Sequence, residues 1–345
     1  CRIAGWQPAS GAFSIVHCRV NALTMIAPVF KICFLAFLLG LWPNHLLLAV
    51  PIRISFLRDA ALSDTTQALR KIGCNQESIA MFTQLVDRYH NSGFEFDLAK
   101  FPPSTNGFYT FSNAQHLVAA LPHPPWKTEH AYEFTCFDTV ILLANDHLRI
   151  DLKPNERAGK FSILARPTND LEVIEVATAA EAFTNQYPTW YREVTDGIFP
   201  GALQDRRVCL TAALLRHERV LPESVNEETL KASLLEVIRK DCRTQKLIWP
   251  KSFDLVLVHQ VHLPSRTFAT AHAALLFRLE KRHMYLEKAG GSGPFVRLDF
   301  DDRADLLVWL AAAMKGLEHE HTHVVATFND ARADILRIAT PSIDR

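Results

Sequence analysis

The sequence has no surplus of charge of either sign: 37 Lys and Arg are balanced by 37 Asp and Glu. Proteins that hold nucleic acid or anionic membrane surfaces need a basic excess, so neither partner is expected, and no like-charge run longer than a few residues alters that. There is no low-complexity tract and no internal repeat at solenoid or propeller spacing. C-x-x-C spacing is absent, which leaves out zinc ribbons and thioredoxin-like motifs. No G-x-S-x-G elbow and no H-E-x-x-H helix is found. The GGSG at 290–293 follows a strand and lacks the Lys of a phosphate loop, so it reads as a flexible turn, a mobile lip over a site. No cofactor and no resident metal are expected.

What is present is apolar material. Nearly half of the 345 residues are hydrophobic, enough for a real core. Near the start, Met25 is a better beginning than Cys1. Lys31 and the apolar run 32–42, broken by Pro43 and Asn44 before 46–50, read as a secretory signal peptide, too short and interrupted for a comfortable span. Ala49 suits a cleavage site and Leu47 does not, so a retained anchor is the alternative. Residues 1–24 are then upstream sequence, 25–50 the signal or anchor, and the mature protein exported, periplasmic or secreted. Any membrane contact would run through the N-terminal segment alone. Three of the seven cysteines precede residue 51, leaving Cys74, Cys136, Cys209 and Cys242. An oxidising compartment would allow one disulfide, Cys209–Cys242 for example.

Periodicity divides the remainder. Helical spacing marks a short helix from Ser63–Asp64 to Arg70, stopped by Gly73, and a second over 76–91 capped by Asn75. Ser112 caps a third that ends near Leu121. After the breaker-rich 121–130 comes a helix whose N-cap is Thr135 and whose first turn holds Cys136. Further helices are expected at 178–186, 203–217 and 226–245, the last capped by Asn226. Beyond Pro250 the period changes to that of strands: 253–261, 270–279, 284–290, 295–300 and 322–328, with a helix over 301–315. The fold class is α+β, with helices packed against one antiparallel sheet. The divisions are an N-terminal helical layer over 51–125, a core over 126–330 and a C-terminal tail over 331–345.

A thiol becomes a useful nucleophile when a helix N-terminus or a nearby imidazolium stabilises its thiolate. Cys136 has the first. Among fifteen histidines, His272 is the best source of the second, because Ala269 and Ala271 leave room around its ring. Glu287 lies on the partner strand of the same hairpin, where it can hold the imidazole's tautomer as the third member of a triad does. The competing reading is plain packing, since a cysteine on a helix is more often core than catalyst. His319, His321 and His323 alternate as H-x-H-x-H before a strand, which a metal could use or which could be a solvated loop entry. His259 and His262 have no patterned partner.

The stretch 271–310 resembles the C-terminal half of a bacterial domain family of unknown function, number 4300. The likeness lies in a His-led strand, a short hairpin, Glu287–Lys288, and the step into a helix. Cys136 before a helix and Asn329 after a closing strand match the same pattern, which covers roughly 60–330. The layout of that family is similar to NlpC-type and other papain-like amidases. The resemblance therefore implies a papain-like core, with Cys136 as nucleophile, His272 as base and Glu287 as the orienting residue. Thr135 and Phe137 flank Cys136 where NlpC-type enzymes have Asp and Ser, which leaves peptidoglycan specificity open.

The expected activity is that of a thiol hydrolase or acyltransferase, a cysteine peptidase or amidase, acting on a small peptide or amide substrate, with cell-wall peptide as the first candidate. The Cys136 backbone N–H would be one oxyanion donor, and Glu129, His130 or Tyr132 would lie near the second. The alternative is a non-catalytic ligand-binding module on the same scaffold, and a metal-binding protein built on the three alternating histidines is a third.

Overall fold

A computed structural model of the chain describes residues 51–91, 97–121, 136–144, 146–148, 219–244, 247–280, 282–289, 293–317 and 321–336. The chain divides into Cys1–Ala49, none of it described, and Val50–Arg345, which holds every element below. The signal-peptide segment, the helices expected at 178–186 and 203–217, and Cys209 with its suggested partnership all lie outside the described residues. Among the described residues, no helix is long and apolar enough to cross a membrane.

The fold is α+β, with six helices and one antiparallel sheet among the described residues. The strands are β1 (Ile52–Ser55), β2 (Tyr109–Phe111), β3 (Arg219–Val220), β4 (Phe253–His262), β5 (Thr267–Arg278), β6 (His283–Lys288), β7 (Phe295–Phe300), β8 (Thr322–Phe328) and β9 (Arg332–Ile335). Eight of them lie in the order β2-β1-β7-β6-β5-β4-β8-β9, and β3 pairs with β5. The meander β4 to β7 follows chain order, as short connections favour.

The helices are α1 (Ala60–Lys71), α2 (Gln76–Asn91), α3 (Ala114–Ala120), α4 (Cys136–Ala144), α5 (Leu230–Thr244) and α6 (Arg303–Ala313). Gly73 stops α1 for a specific reason. Its φ is +89°, and the bonds Gly73 N–H to Arg70 O and Cys74 N–H to Leu69 O form a Schellman closure that needs a left-handed residue there. Asn75 Oδ1 accepts from the Glu77 N–H at 2.7 Å at the start of α2. The third helix is capped by Asn113, not Ser112, through a bond from the His116 N–H. Asp302 caps α6. Asn226 and Thr229 bond one another reciprocally one turn before α5 begins.

Two apolar layers sandwich the sheet. One packs Leu69, Phe82 and Val86 of α1 and α2 and the apolar residues of α4 against Leu257, Leu275 and Leu286. The other packs Leu117 of α3 and Leu306, Trp309 and Leu310 of α6 against Val258, Leu276 and Leu298. The expected N-terminal helical layer is thus corrected in two ways. It contributes β1 and β2 to the sheet, and its helices divide between both layers. The expected C-terminal tail begins with β9, which pairs with β8 from Val325 to Phe328.

Candidate active site

Cys136 opens α4, and of that helix only Phe137 is not buried. A helix buried nearly all round is apolar nearly all round, and Val140 to Ala144 carry that burial. Its first turn is therefore held firmly beside the sheet. Across from it, β5 has an irregularity at the position that matters. Val258 pairs with His272, but the next residue on β4, His259, pairs with Thr270. Ala271 is the extra residue of a β-bulge, a feature that re-aims neighbouring side chains. His259 bridges the bulge: its Nε2 lies 2.9 Å from Thr327 Oγ1 and its Nδ1 3.2 Å from Thr270 Oγ1.

The β5–β6 ladder aligns Leu275 with Leu286, so Glu287 is a diagonal neighbour of His272. His272 Nε2 and Glu287 Oε2 are 2.7 Å apart. The remaining ring nitrogen, Nδ1, is the one left for Cys136, with which the ring shares a hydrogen bond. The structure thus brings together the three side chains singled out from the sequence. All are buried, with exposures of 5% for Cys136, 3% for His272 and 1% for Glu287.

Burial alone would push the imidazole's pKa down, because it penalises the charged form. The Cys136 sulfur, by charge and hydrogen bond, and then Glu287, by hydrogen bond and charge, outweigh that and hold His272 up at about 10. The sulfur on one side and the carboxylate on the other both favour the protonated ring.

Two members of the site escaped the sequence reading. Tyr285 OH donates to Glu287 Oε2 at 2.6 Å, and Trp309 Nε1–H donates to Oε1 at 3.0 Å. Tyr285 had a signal, because it lies two residues before Glu287 and so on the same strand face. Trp309 had only the general rule that a buried indole N–H finds an acceptor.

Other singled-out residues fall elsewhere. Asn329 has φ +52°, and its side chain accepts from the Leu255 N–H and donates to Asp254, tying β8 to β4. His321 lies in the turn before β8 and His323 pairs with Val261, while His319 is outside the described residues. No group of three His, Cys, Asp or Glu able to hold a metal occurs among the described residues. Thr135, Glu129, His130 and Tyr132 are also outside them, as are 290–292 of the GGSG turn. The last glycine of that turn is held: Lys288 Nζ donates to Gly293 O, and a Cβ at Gly293 would meet Ala289 O at 1.9 Å.

Comparison of the chain with protein-family models, with curated proteins and with solved structures gives no match.

Proposed function

We propose that this protein is a thiol hydrolase or acyltransferase with a papain-like core, using Cys136, His272 and Glu287 on an amide or ester. The observation that carries the reading is the buried Cys136–His272–Glu287 chain, in which the sulfur and the carboxylate both favour the protonated imidazole. A thiolate paired with an imidazolium is the resting form such a nucleophile needs.

The chemistry follows from the pair. Cys136 Sγ attacks the acyl carbon and forms the S–C bond. The His272 imidazolium gives its Nδ1 proton to the leaving amine or alcohol as the C–N or C–O bond breaks. The now neutral imidazole then takes a proton from water, which adds to the thioester carbon, and the acid product leaves with Sγ restored as thiolate. An amine or alcohol in place of water gives acyl transfer. The backbone N–H of Cys136, at the start of α4, is one donor to the oxyanion. A small peptide or amide is the substrate class, and cell-wall peptide the first to try, because the segment 25–50 reads as an export signal.

The near-complete burial of Cys136 is the observation that favours the second reading, a non-catalytic ligand-binding module in which the thiol is packing. The rate of Cys136 alkylation by iodoacetamide against pH, followed by peptide mass spectrometry in wild type and His272→Ala, separates the two. Fast reaction below pH 7 that is lost in His272→Ala supports the thiol hydrolase. A Cys136 that reacts only on unfolding, or like an ordinary thiol of pKa about 8.5 whatever stands at 272, overturns it.

A further inference from the structure

We propose that Tyr285 and Trp309 are positioning residues, which clamp the Glu287 carboxylate from two elements and through it fix the tautomer and orientation of His272. Their relevance to catalysis rests on the reading above, but the clamp itself can be tested without it.

The hydrogen-bond inventory carries the inference. An ionised carboxylate only accepts, with about four lone-pair sites. Three are taken here: Oε2 faces His272 Nε2 at 2.7 Å and Tyr285 OH at 2.6 Å, and Oε1 faces Trp309 Nε1 at 3.0 Å. The indole can only donate. Tyr285 also stays a donor, because burial first, then the charge of Glu287 and its hydrogen bond, push the phenol well above its ordinary range. A half-turn of the carboxyl group would exchange its oxygens but still needs all three donors in place. Any larger movement breaks bonds in a site where Tyr285 is 0% exposed, and Trp309 and Glu287 1% each.

The consequence reaches the imidazole. With Glu287 fixed, Nε2 must carry the proton it donates, and Nδ1 is left for Cys136. The charged or titratable groups that face this ring among the described residues are Cys136 from α4 and Glu287 from β6. Tyr285 and Trp309 act on the second of these. Trp309 brings in α6, so a helix whose apolar residues pack in the other layer from those of α4 helps set the ring that acts on Cys136. The plain alternative is that both are core residues that found a convenient acceptor. On that view, removing a donor would lower stability without altering how His272 titrates.

Without one of its donors the carboxylate is no longer held against the ring, and its grip on the imidazolium weakens. Long-range proton–nitrogen NMR of the full chain, labelled at histidine nitrogens, reads both the midpoint of His272 and the tautomer of its neutral form. Tyr285→Phe keeps the ring's shape and removes one oxygen, so it is the decisive variant. Trp309→Phe tests the other donor, and Glu287→Gln sets the limit for complete loss. The clamp predicts an Nε2–H tautomer in wild type. It predicts a midpoint lower by about one pH unit or more in Tyr285→Phe and in Trp309→Phe, with Nδ1–H tautomer appearing. A Tyr285→Phe titration that superimposes on wild type, or whose midpoint rises, overturns the proposal even if stability falls. If wild-type Cys136 is unreactive while the midpoint still drops in Tyr285→Phe, the clamp stands and the thiol-hydrolase reading fails. A reactive Cys136 with an unmoved titration sinks the clamp alone.

Discussion

A buried histidine held cationic makes stability depend on pH in a set direction. The folded His272 binds its proton up to about 10, whereas the unfolded side chain releases it near 6.5. Paired with a thiolate, the ring carries the proton that the unfolded chain keeps on the cysteine up to about 8.5. The folded pair therefore holds more protons than the unfolded chain between about 8.5 and 10, and stability falls as pH rises through that window. Urea unfolding at pH 8 and pH 10 should show wild type losing about 1.4 kcal/mol more than the Cys136→Ala/His272→Gln double variant, the equivalent of one pKa unit. Equal losses in the two proteins would mean that the pair does not hold its proton above the ordinary thiol range. Cys74 bears on how any thiol assay is read. It is buried, with its pKa pushed up to about 12 by burial and by Asp146, so alkylation of the folded protein near neutral pH reports other thiols.

At the level of the element, the bulge in β5 decides where His272 points. Strand side chains alternate strictly, so one inserted residue, Ala271, reverses the faces of everything beyond it. His259 is fully buried and joins Thr327 of β8 to Thr270 of the bulge. His259→Leu keeps the volume and leaves hydroxyls without their ring partner, a loss of roughly 1–3 kcal/mol. The bulge would then relax, and any acid-pH alkylation of Cys136 that depends on His272 should fall about tenfold, the effect of a hydrogen bond of roughly 1.4 kcal/mol. Alkylation kinetics beside urea midpoints check this, and unchanged kinetics in a destabilised variant would reduce His259 to a purely structural tie. No period or propensity marks a one-residue bulge, so this device was hidden in the sequence. Other elements were legible for different reasons: 76–91 repeats a helical burial period, whereas 295–300 and 322–328 are short, largely apolar runs buried on both faces and bounded by turn signals. The strands β1, β2 and β9, of four, three and four residues, are too short for alternation to separate from a loop. The pairing of His272 with Glu287 could be anticipated because both lie on one hairpin, where turn length sets the register. The contact with Trp309 spans separate elements and could not be.

At the scale of the whole sheet, β1 is joined to β7 from far along the chain, and the join is polar on one face. Ile52, Ile54, Leu298 and Phe300 fill the apolar layer on the other side. Arg53, Arg297 and Asp299 occupy the opposite alternation, with Arg297 2% and Asp299 1% exposed. Arg297 holds Asp299 in a two-point grip at 2.7 and 3.0 Å. It also reaches Thr65 Oγ1 at 3.0 Å and Asp64 at 2.9 Å on α1, and Arg53 contacts Asp299 from β1. The Phe108 ring lies against both guanidiniums, 4.6 Å from that of Arg53 and 5.0 Å from that of Arg297. Replacing one member of a buried pair leaves the other charge uncompensated, which costs roughly 3–5 kcal/mol. Asp64 is half exposed, and an exposed partner is worth about 0–1 kcal/mol. Arg297→Met should therefore lower the unfolding free energy several times more than Asp64→Asn. Hydrogen exchange of the β1 amides that pair with β7 should accelerate in Arg297→Met first, because the network fastens that strand to the sheet. If exchange in β1 and in β5 accelerates together, the sheet opens as one unit and the polar join contributes global stability without anchoring the N-terminal strand.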